Sequence, residues 1–268
     1  MIKTTIYYKK VKLNDPILIV GLPGVGYVGG LVAEQLRNKL GAKKLATLYS
    51  PYFPYQIITL KNGGFRLVSN RFYYYKNKNK KGRDLVILMG DCQPLSPEGQ
   101  YEVNERIVKF FKNLGGNTIY TIGGYNTGNR NAEKPRIFGV SSDERVRTAL
   151  SKFGIRFGEA AGISILGSAG MILAFSKKHN VQAACIMGET NMLEVDATAA
   201  KSVLRAMGEI LDVPVDFKNL DRIQKDTEKA IREIEDISGS ALEAQQGPAG
   251  QQVQFESQKK KDDLTYIR

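Results

Sequence analysis

The sequence predicts a three-layer α/β fold built around a largely parallel sheet. Short, continuous apolar runs, typical of strands buried on both faces, alternate with segments of helical periodicity through most of the chain. Four predicted strands end in polar or glycine-rich loops, which are Gly21–Gly26, Gly90–Gln93, Gly123–Gly128 and Gly188–Thr190. Ligands of such folds bind at the edge where parallel strands end, so this edge is the first place to look for a site.

The first strand and helix lie in the stretch ILIVGLPGVGYVGG. Ile17–Val20 is short and rich in β-branched residues, which favours a buried strand. Apolar residues recur at helical spacing from Val28 to Leu40, and Gly41 follows as a C-terminal cap.

The loop between them has the outline of a phosphate-binding loop without its chemistry. A Walker loop needs Lys followed by Ser or Thr after its last glycine, and Tyr27 and Val28 stand there. A dinucleotide loop reads G-x-G-x-x-G, whereas this one reads G-x-x-G-x-G, and the next predicted strand, Ala42–Tyr49, ends without the ribose-binding acid. We interpret the loop as a close-packed turn, with an anion site as the alternative.

The remaining elements follow from alternation, caps and breakers. The Asn-Gly signal in KNGG predicts a β-hairpin between Gln56–Leu60 and Phe65–Tyr75. Further strands are predicted in Leu85–Met89, NTIYTIGGYN, RIFGVSS and Val181–Met187, and further helices in Pro97–Leu114, Asp143–Phe153, Gly162–Lys178 and Asp196–Leu211.

Few residues suit catalysis or metal binding. His179 is the only histidine. Cys92 and Cys185 are predicted to be buried thiols, with a single disulfide as an alternative that nothing in the sequence supports. We therefore predict no catalytic, cofactor-binding or metal-ligating residues. Polar residues that could meet at the strand ends are Asp91, Asn126, Glu189 and Asp196, but without a base or a metal cluster we interpret them as parts of compact turns.

The net charge of +12 favours acidic partners. The densest cluster, Phe72–Arg83, combines tyrosines with lysines, as single-stranded nucleic-acid sites do. A strand that ends near Tyr75 and a solvated loop over Lys76–Arg83 account for the same pattern. Nucleic-acid binding is therefore kept only as an alternative. No apolar run has the length of a membrane span and no secretion signal begins the sequence, so we expect a cytoplasmic protein.

The pattern changes after residue 216. Residues 1–216 form the predicted α/β domain, and Phe217–Ile237 is a predicted amphipathic helix with one apolar stripe. The stripe either packs on its own domain or pairs with another subunit. The residues predicted for self-association are Leu220, Ile223, Ile231, Ile234 and Ile237.

Residues 238–268 have the composition of a flexible tail. Gln, Gly, Ser and Ala dominate up to the lysine run, and the sequence then closes on an apolar and aromatic tip, LTYIR. A tether with such a tip is typical of a docking peptide.

Several motifs together resemble the archaeal branch of the proteasome-assembly-chaperone family. They are GLPGVGYVGGLVAEQL, SPYFP, GDCQPLSPEGQY, GGYNTG and MGETNMLEVDATAAKSVL, and they span roughly Asp15–Asp216. The resemblance implies a fold similar to nucleoside phosphorylases without established catalysis. It also implies a proteasome activator whose tail docks into pockets on the α-ring of the 20S proteasome. The amphipathic helix predicts that this activator is a homo-oligomer.

The predicted docking residues are Leu264, Thr265, Tyr266, Ile267 and Arg268. Docking tails of this kind usually carry tyrosine in the penultimate position, whereas here Tyr266 is third from the end. A nucleotide- or nucleoside-binding enzyme that uses the glycine-rich loops is the main alternative.

Overall fold

The structure is a computed structural model that describes residues 3–79, 82–128, 134–159, 162, 164–190 and 195–230. The chain divides into two units, Met1–Arg222 and Ile223–Arg268. The first unit holds the α/β domain and a helical segment at residues 218–222. In the second unit, residues 223–230 are helical.

The described strands form one nine-stranded sheet and one separate two-stranded hairpin. The order in the large sheet is β1-β3-β6-β7-β2-β8-β11-β9-β10, and β4 pairs with β5. The strands are β1 Thr5–Tyr8, β2 Ile17–Gly21, β3 Lys43–Tyr49, β4 Ile57–Thr59, β5 Phe65–Leu67, β6 Asn70–Tyr75, β7 Leu85–Gly90, β8 Thr118–Asn126, β9 Ile137–Ser141, β10 Ile155–Phe157 and β11 Gln182–Thr190.

The centre of the large sheet is parallel and its flanks are mixed. Strands β7, β2, β8 and β11 run parallel to one another. Strands β1, β3 and β6 extend the sheet on one side through antiparallel pairs, and β9 pairs antiparallel with β11 on the other. The predicted α/β class is confirmed, and the parallel part is the part on which the glycine-rich loops converge.

Helices cover both faces of the sheet. On β2, Leu18 and Val20 share a core with residues of α2 and α4, whereas Ile17 and Ile19 alternate to the other face. Helix α1 packs with α5, and α2 packs with α4. The helices are α1 Val28–Leu40, α2 Pro97–Asn113, α3 Glu144–Ser151, α4 Ser168–Lys178 and α5 Ala197–Leu211.

Local capping explains four of the helix ends. The side chains of Ser96, Asp143 and Asp196 accept hydrogen bonds from the backbone N–H groups of the first turns of α2, α3 and α5. Gly41 adopts the left-handed conformation after α1, with φ of 61°. These caps match the boundaries that the sequence predicted to within two residues.

Three parts of the fold differ from the prediction. Strands β1 and β10 were not predicted. The segment predicted as one strand, Phe65–Tyr75, forms two, because the chain leaves the hairpin at Val68 and enters the large sheet at Asn70. Helix α4 begins at Ser168 rather than at Gly162, since Gly167 has a φ of 76° that a helix does not accept. Among the described residues, no helix has both the length and the apolar composition needed to cross a bilayer.

Candidate functional site

The loop Gly21–Gly26 joins β2 to α1 through a single 3-10 turn, Val25–Tyr27. Gly26 and Tyr27 both have left-handed backbone angles, with φ of 60° and 49°. Tyr27 stands at the N-cap of α1 without a side-chain cap. The sharp strand-to-helix turn predicted from the glycines is therefore confirmed.

Close approach of helix and sheet accounts for two of the glycines in this unit. A Cβ at Gly21 would collide with the carbonyl oxygen of Gly29, and a Cβ at Gly29 would collide with the carbonyl oxygen of Ile122 in β8. Gly24 is different, because the nearest atom to its Cβ would be Gln93 Nε2 at 3.7 Å. Packing of α1 against the sheet thus requires Gly21 and Gly29, and the left-handed backbone favours glycine at position 26.

Asp91, at the end of β7, is held by two arginines. Arg66 donates to both of its carboxylate oxygens, Arg71 Nη2 donates to Oδ1 at 2.8 Å, and the Ser69 amide donates to Oδ2 at 2.9 Å. Burial raises the pKa of the Asp91 carboxyl, but the Arg66, Ser69 and Arg71 contacts outweigh it and hold the pKa below its usual value. Asp91 therefore joins the hairpin to the large sheet.

Glu189, at the end of β11, is equally well satisfied. Its carboxylate is almost fully buried and accepts two hydrogen bonds from the Arg136 guanidinium, one from the Arg136 amide and one from Thr127 Oγ1. The Arg136 hydrogen bonds are the main cause that lowers the Glu189 pKa to about 2. A general base would need a higher pKa and an open lone pair.

The other two polar residues also have local roles. Asp196 accepts hydrogen bonds from Thr190 Oγ1 and from the Ala199 amide, and Asn126 accepts one from the Gly128 amide. The four side chains that could have met at this edge are thus each bound to their own neighbours, in line with the compact-turn interpretation. Among the described residues, no group of three His, Cys, Asp or Glu side chains has metal-binding geometry.

A cavity of about 440 Å³ opens at this edge of the sheet. It lies between the ends of β2, β8 and β11 and the residues before α4, and Cys185 and Met187 form part of its wall. No charged side chain is among the described residues that line it. Since cations are the usual side-chain partners of phosphates, these walls favour an uncharged molecule over a nucleotide.

The thiols and the histidine offer no nucleophile. Cys92 and Cys185 are free, as predicted, although Cys92 is only half-buried. Burial raises the pKa of both thiols to about 11, so neither forms a thiolate near neutral pH. His179 is the C-cap residue of α4, and its Nε2 lies 2.9 Å from Glu105 Oε1. Lys178 donates a hydrogen bond to the same carboxylate oxygen.

The basic cluster is partly committed to the fold. Arg83 donates hydrogen bonds to Asp15 and to Thr118, and the Asp84 carboxylate accepts from the Asn77 amide. Lys80 and Lys81 lie outside the described residues. Tyr73, Tyr74 and Tyr75 are half-buried at the end of β6, in line with the interpretation of Phe72–Arg83 as a strand end followed by a loop.

Most of the predicted interaction residues lie outside the described residues. Leu220 is fully buried in its own unit, which favours local packing for this part of the stripe, and Ile223 is half-buried. The self-association residues Ile231, Ile234 and Ile237 and all five docking residues, Leu264–Arg268, are outside the described part of the chain.

Sequence reasoning missed the outer face of the hairpin. Ile57, Phe65 and Leu67 point away from the domain and are largely exposed. The sequence does carry a signal for two different faces, because Arg66 lies between the apolar residues Phe65 and Leu67. The partner that turns Arg66 inward, Asp91, is 25 residues away. The alternation alone did not show which face the domain would cover.

Comparison with known proteins identifies the family. The model of the PAC2 family matches residues 18–236. The protein MJ1210 of Methanocaldococcus jannaschii is 31% identical over 92% of this chain and 95% of its own length.

Solved structures agree with this result. The crystal structure of Pyrococcus furiosus PbaB, an archaeal proteasome activator, has a TM-score of 0.84 and 36% identity, covering 88% of this chain and 100% of that one. Pyrococcus furiosus PbaA, an archaeal homologue of proteasome-assembly chaperone, shares the fold with a TM-score of 0.72 and 22% identity, covering 89% and 95% of the two chains. This chain belongs to the PAC2 family.

Proposed function

We propose that this chain is a non-catalytic protein that binds the 20S proteasome and activates it by inserting its C-terminal tail into pockets of the α-ring. The observation that carries the proposal is the likeness to PbaB, which extends over the whole of that chain at 36% identity. PbaB is an archaeal proteasome activator, and a relative of this similarity and coverage is the best available guide to the role of this chain.

The chemistry of the sheet edge supports a binding role rather than catalysis. Asp91 and Glu189 are each saturated by arginines and backbone amides, and the pKa of each is lowered. Gly21 and Gly29 serve the packing of α1. The packing of α1 thus explains these glycines without a ligand, which is consistent with a protein that works through its surface and its tail.

The tail has the parts that docking requires. About 30 residues of Gly-, Gln- and Ser-rich chain precede the tip, which gives a typical reach of roughly 30 Å. Leu264, Tyr266 and Ile267 supply apolar and aromatic contact area at a modest entropy cost. One tip alone binds weakly, and several tips on one oligomer bind through avidity.

The C-terminal helix supplies self-association in this proposal, through Ile223, Ile231, Ile234 and Ile237. A charge in the apolar stripe, Ile231→Asp, dissociates the oligomer because an unpaired buried charge costs several kcal/mol. Light scattering measures the mass. A variant that keeps the native mass shows that the helix serves only its own subunit.

Deletion of Tyr266–Arg268 tests the docking step. We expect the truncated protein to keep its mass and thermal stability and to lose binding to purified 20S particles in sedimentation. A matched control deletes three tether residues, Gln251–Gln252–Val253, and should still bind. Equal binding by the truncated protein and the full chain would remove the tail from the mechanism.

The cavity at the sheet edge favours one second candidate, binding of a small uncharged molecule such as a nucleoside. Its volume of about 440 Å³ is within the usual range of ligand pockets. Nucleosides and nucleotides are compared by their effect on the melting temperature. Turnover of a nucleoside that depends on Gly24 or Glu189 would replace the non-catalytic proposal by an enzymatic one.

A further inference from the structure

The hairpin of β4 and β5 has two chemically different faces. Ile57 pairs with Leu67, Ile58 with Arg66, and Thr59 with Phe65, so alternate pairs point to opposite sides. The side chains of Ile57, Thr59, Phe65 and Leu67 share the outer side. The inner side carries Ile58 and Arg66.

The inner side is fixed to the domain. Ile58 packs against the main hydrophobic core, and Arg66 reaches Asp91 at the end of β7. The Arg66 Nη2 to Asp91 Oδ1 distance is 2.9 Å. These contacts hold the ribbon in one orientation. Because the inner side faces the domain, the outer side faces solvent.

This outer side is apolar where an exposed ribbon is expected to be polar. Phe65 is 69% exposed, Leu67 58% and Ile57 51%, and Tyr55 is fully exposed beside them. We call these four residues the hairpin face. A concavity of about 790 Å³ adjoins it, lined by Tyr55, Ile57, Leu67 and the neighbouring prolines. Contiguous apolar surface of this kind marks an interaction site.

Charge limits the partner to an apolar one. The stretch from Tyr49 to Val68 contains no Asp or Glu, and its only cations are Lys61 and Arg66. Arg66 is turned inward onto Asp91, so Lys61 is the single cation of this stretch that does not serve the anchor. Lys3 adds one cation at the adjoining concavity. A strongly charged partner still finds few groups to pair with here, whereas an equally apolar ribbon matches the face.

The exposed area is sufficient for a two-fold contact. The hairpin face exposes on the order of 600 Å² per chain, from the size of its two aromatic and two aliphatic side chains. Covering it on both partners buries about 1,200 Å² in total, the lower bound of a standard stable interface. An isologous contact uses the same patch on both subunits, as most homodimers do.

We propose that the hairpin face is an interface between two copies of this chain, packed ribbon against ribbon about a two-fold axis. The proposal does not depend on the tail or on the proteasome. It also names a surface other than the C-terminal helix, so an oligomer that uses both surfaces contains more than two chains.

Light scattering of the full chain tests the interface. We expect Phe65→Lys and Leu67→Lys to reduce the mass of the wild-type assembly to half or less at the same protein concentration. Leu166→Lys is the matched control, because Leu166 is 86% exposed elsewhere on the domain. The apolar contact should also persist in 1 M salt, since no ion pair sustains it.

A second variant leaves the apolar residues intact. Thr59→Cys places a thiol on the outer side of the ribbon, opposite Phe65 of the hairpin face. Mild oxidation should join two such thiols in a disulfide-linked dimer, with two protons released and two electrons passing to the added oxidant. Leu166→Cys should remain a monomer on a non-reducing gel. The proposal is overturned by a monomeric wild-type protein, by Lys variants of unchanged mass, or by equal cross-linking at positions 59 and 166.

Discussion

Replacing single glycines around the first loop by alanine separates a packing role from a ligand-binding role. Gly29 is in α1, where alanine has the higher helix propensity by up to about 1 kcal/mol. In the structure, however, a Cβ there would approach the Ile122 carbonyl oxygen within 3.0 Å, a separation that real Cβ atoms essentially never show. The atom in the way is backbone of a central strand, so it cannot rotate aside.

The expected magnitude follows from these two opposing effects. Overpacking a rigid core costs about 1–3 kcal/mol, and more where backbone must move. We expect Gly29→Ala to lower the free energy of unfolding by about 2 kcal/mol, which for a domain of this size is a fall in Tm of roughly 4–8 °C. Gly21→Ala should behave similarly, because its Cβ would meet Gly29 and Ala33.

Gly24→Ala is the control in the same loop. Gly24 has an extended backbone with φ of −172°, which any residue adopts, and 3.7 Å of space. Alanine there should change stability by less than about 1 kcal/mol, with a small gain from the unfolded state. Scanning calorimetry of the three variants measures the difference. A higher Tm for Gly29→Ala, or equal losses at positions 24 and 29, would refute the packing interpretation.

Three further predictions concern the charged groups and thiols. Glu189→Gln should lower the free energy of unfolding by about 2 kcal/mol above pH 4.5, and this loss should shrink to nothing as the pH falls towards 2. The reason is that Arg136 lowers the folded-state pKa of Glu189 from 4.5 to about 2. Urea unfolding at a series of pH values measures the loss, and a loss that does not change with pH would contradict the prediction. Asp91→Asn should release the hairpin, so hydrogen exchange should accelerate in β4 and β5 and not in β2; uniform exchange would count against the anchor. Cys92 and Cys185 should react slowly with iodoacetamide at pH 8, because burial raises the pKa of both thiols to about 11. Mass spectrometry measures the rate of labelling, and a rate equal to that of the unfolded protein would contradict the prediction.

Local signals determined which elements could be predicted. Continuous β-branched runs marked β2 and β7, and Pro97 with its preceding Ser96 cap marked α2, since these preferences act within a few residues. Strand β1 carries exposed tyrosines and pairs only with β3. Strand β10 has three residues at the other edge of the sheet. Both strands depend on backbone hydrogen bonds to a neighbouring strand, β3 for β1 and β9 for β10. The local sequence does not show that such a neighbour is available.

The site was harder to predict than the fold because its partners are distant in sequence. Asp91 and Glu189 were correctly placed at strand ends, but Arg66 is 25 residues from Asp91, and Arg136 is 53 residues from Glu189. Without these partners, carboxylates at one sheet edge look like converging ligands. Motif order across the chain identified the family where the chemistry of single residues did not.

Peptide hydrolysis by the proteasome tests the central claim most directly. Purified 20S particles are titrated with the full chain, with the protein that lacks Tyr266–Arg268, and with the tether-deletion control. We predict that the full chain and the control accelerate hydrolysis of a fluorogenic peptide to the same maximum, whereas the truncated protein leaves the basal rate unchanged. Acceleration by the truncated protein equal to that of the full chain, or no acceleration by the full chain at saturation, would contradict activation through the tail.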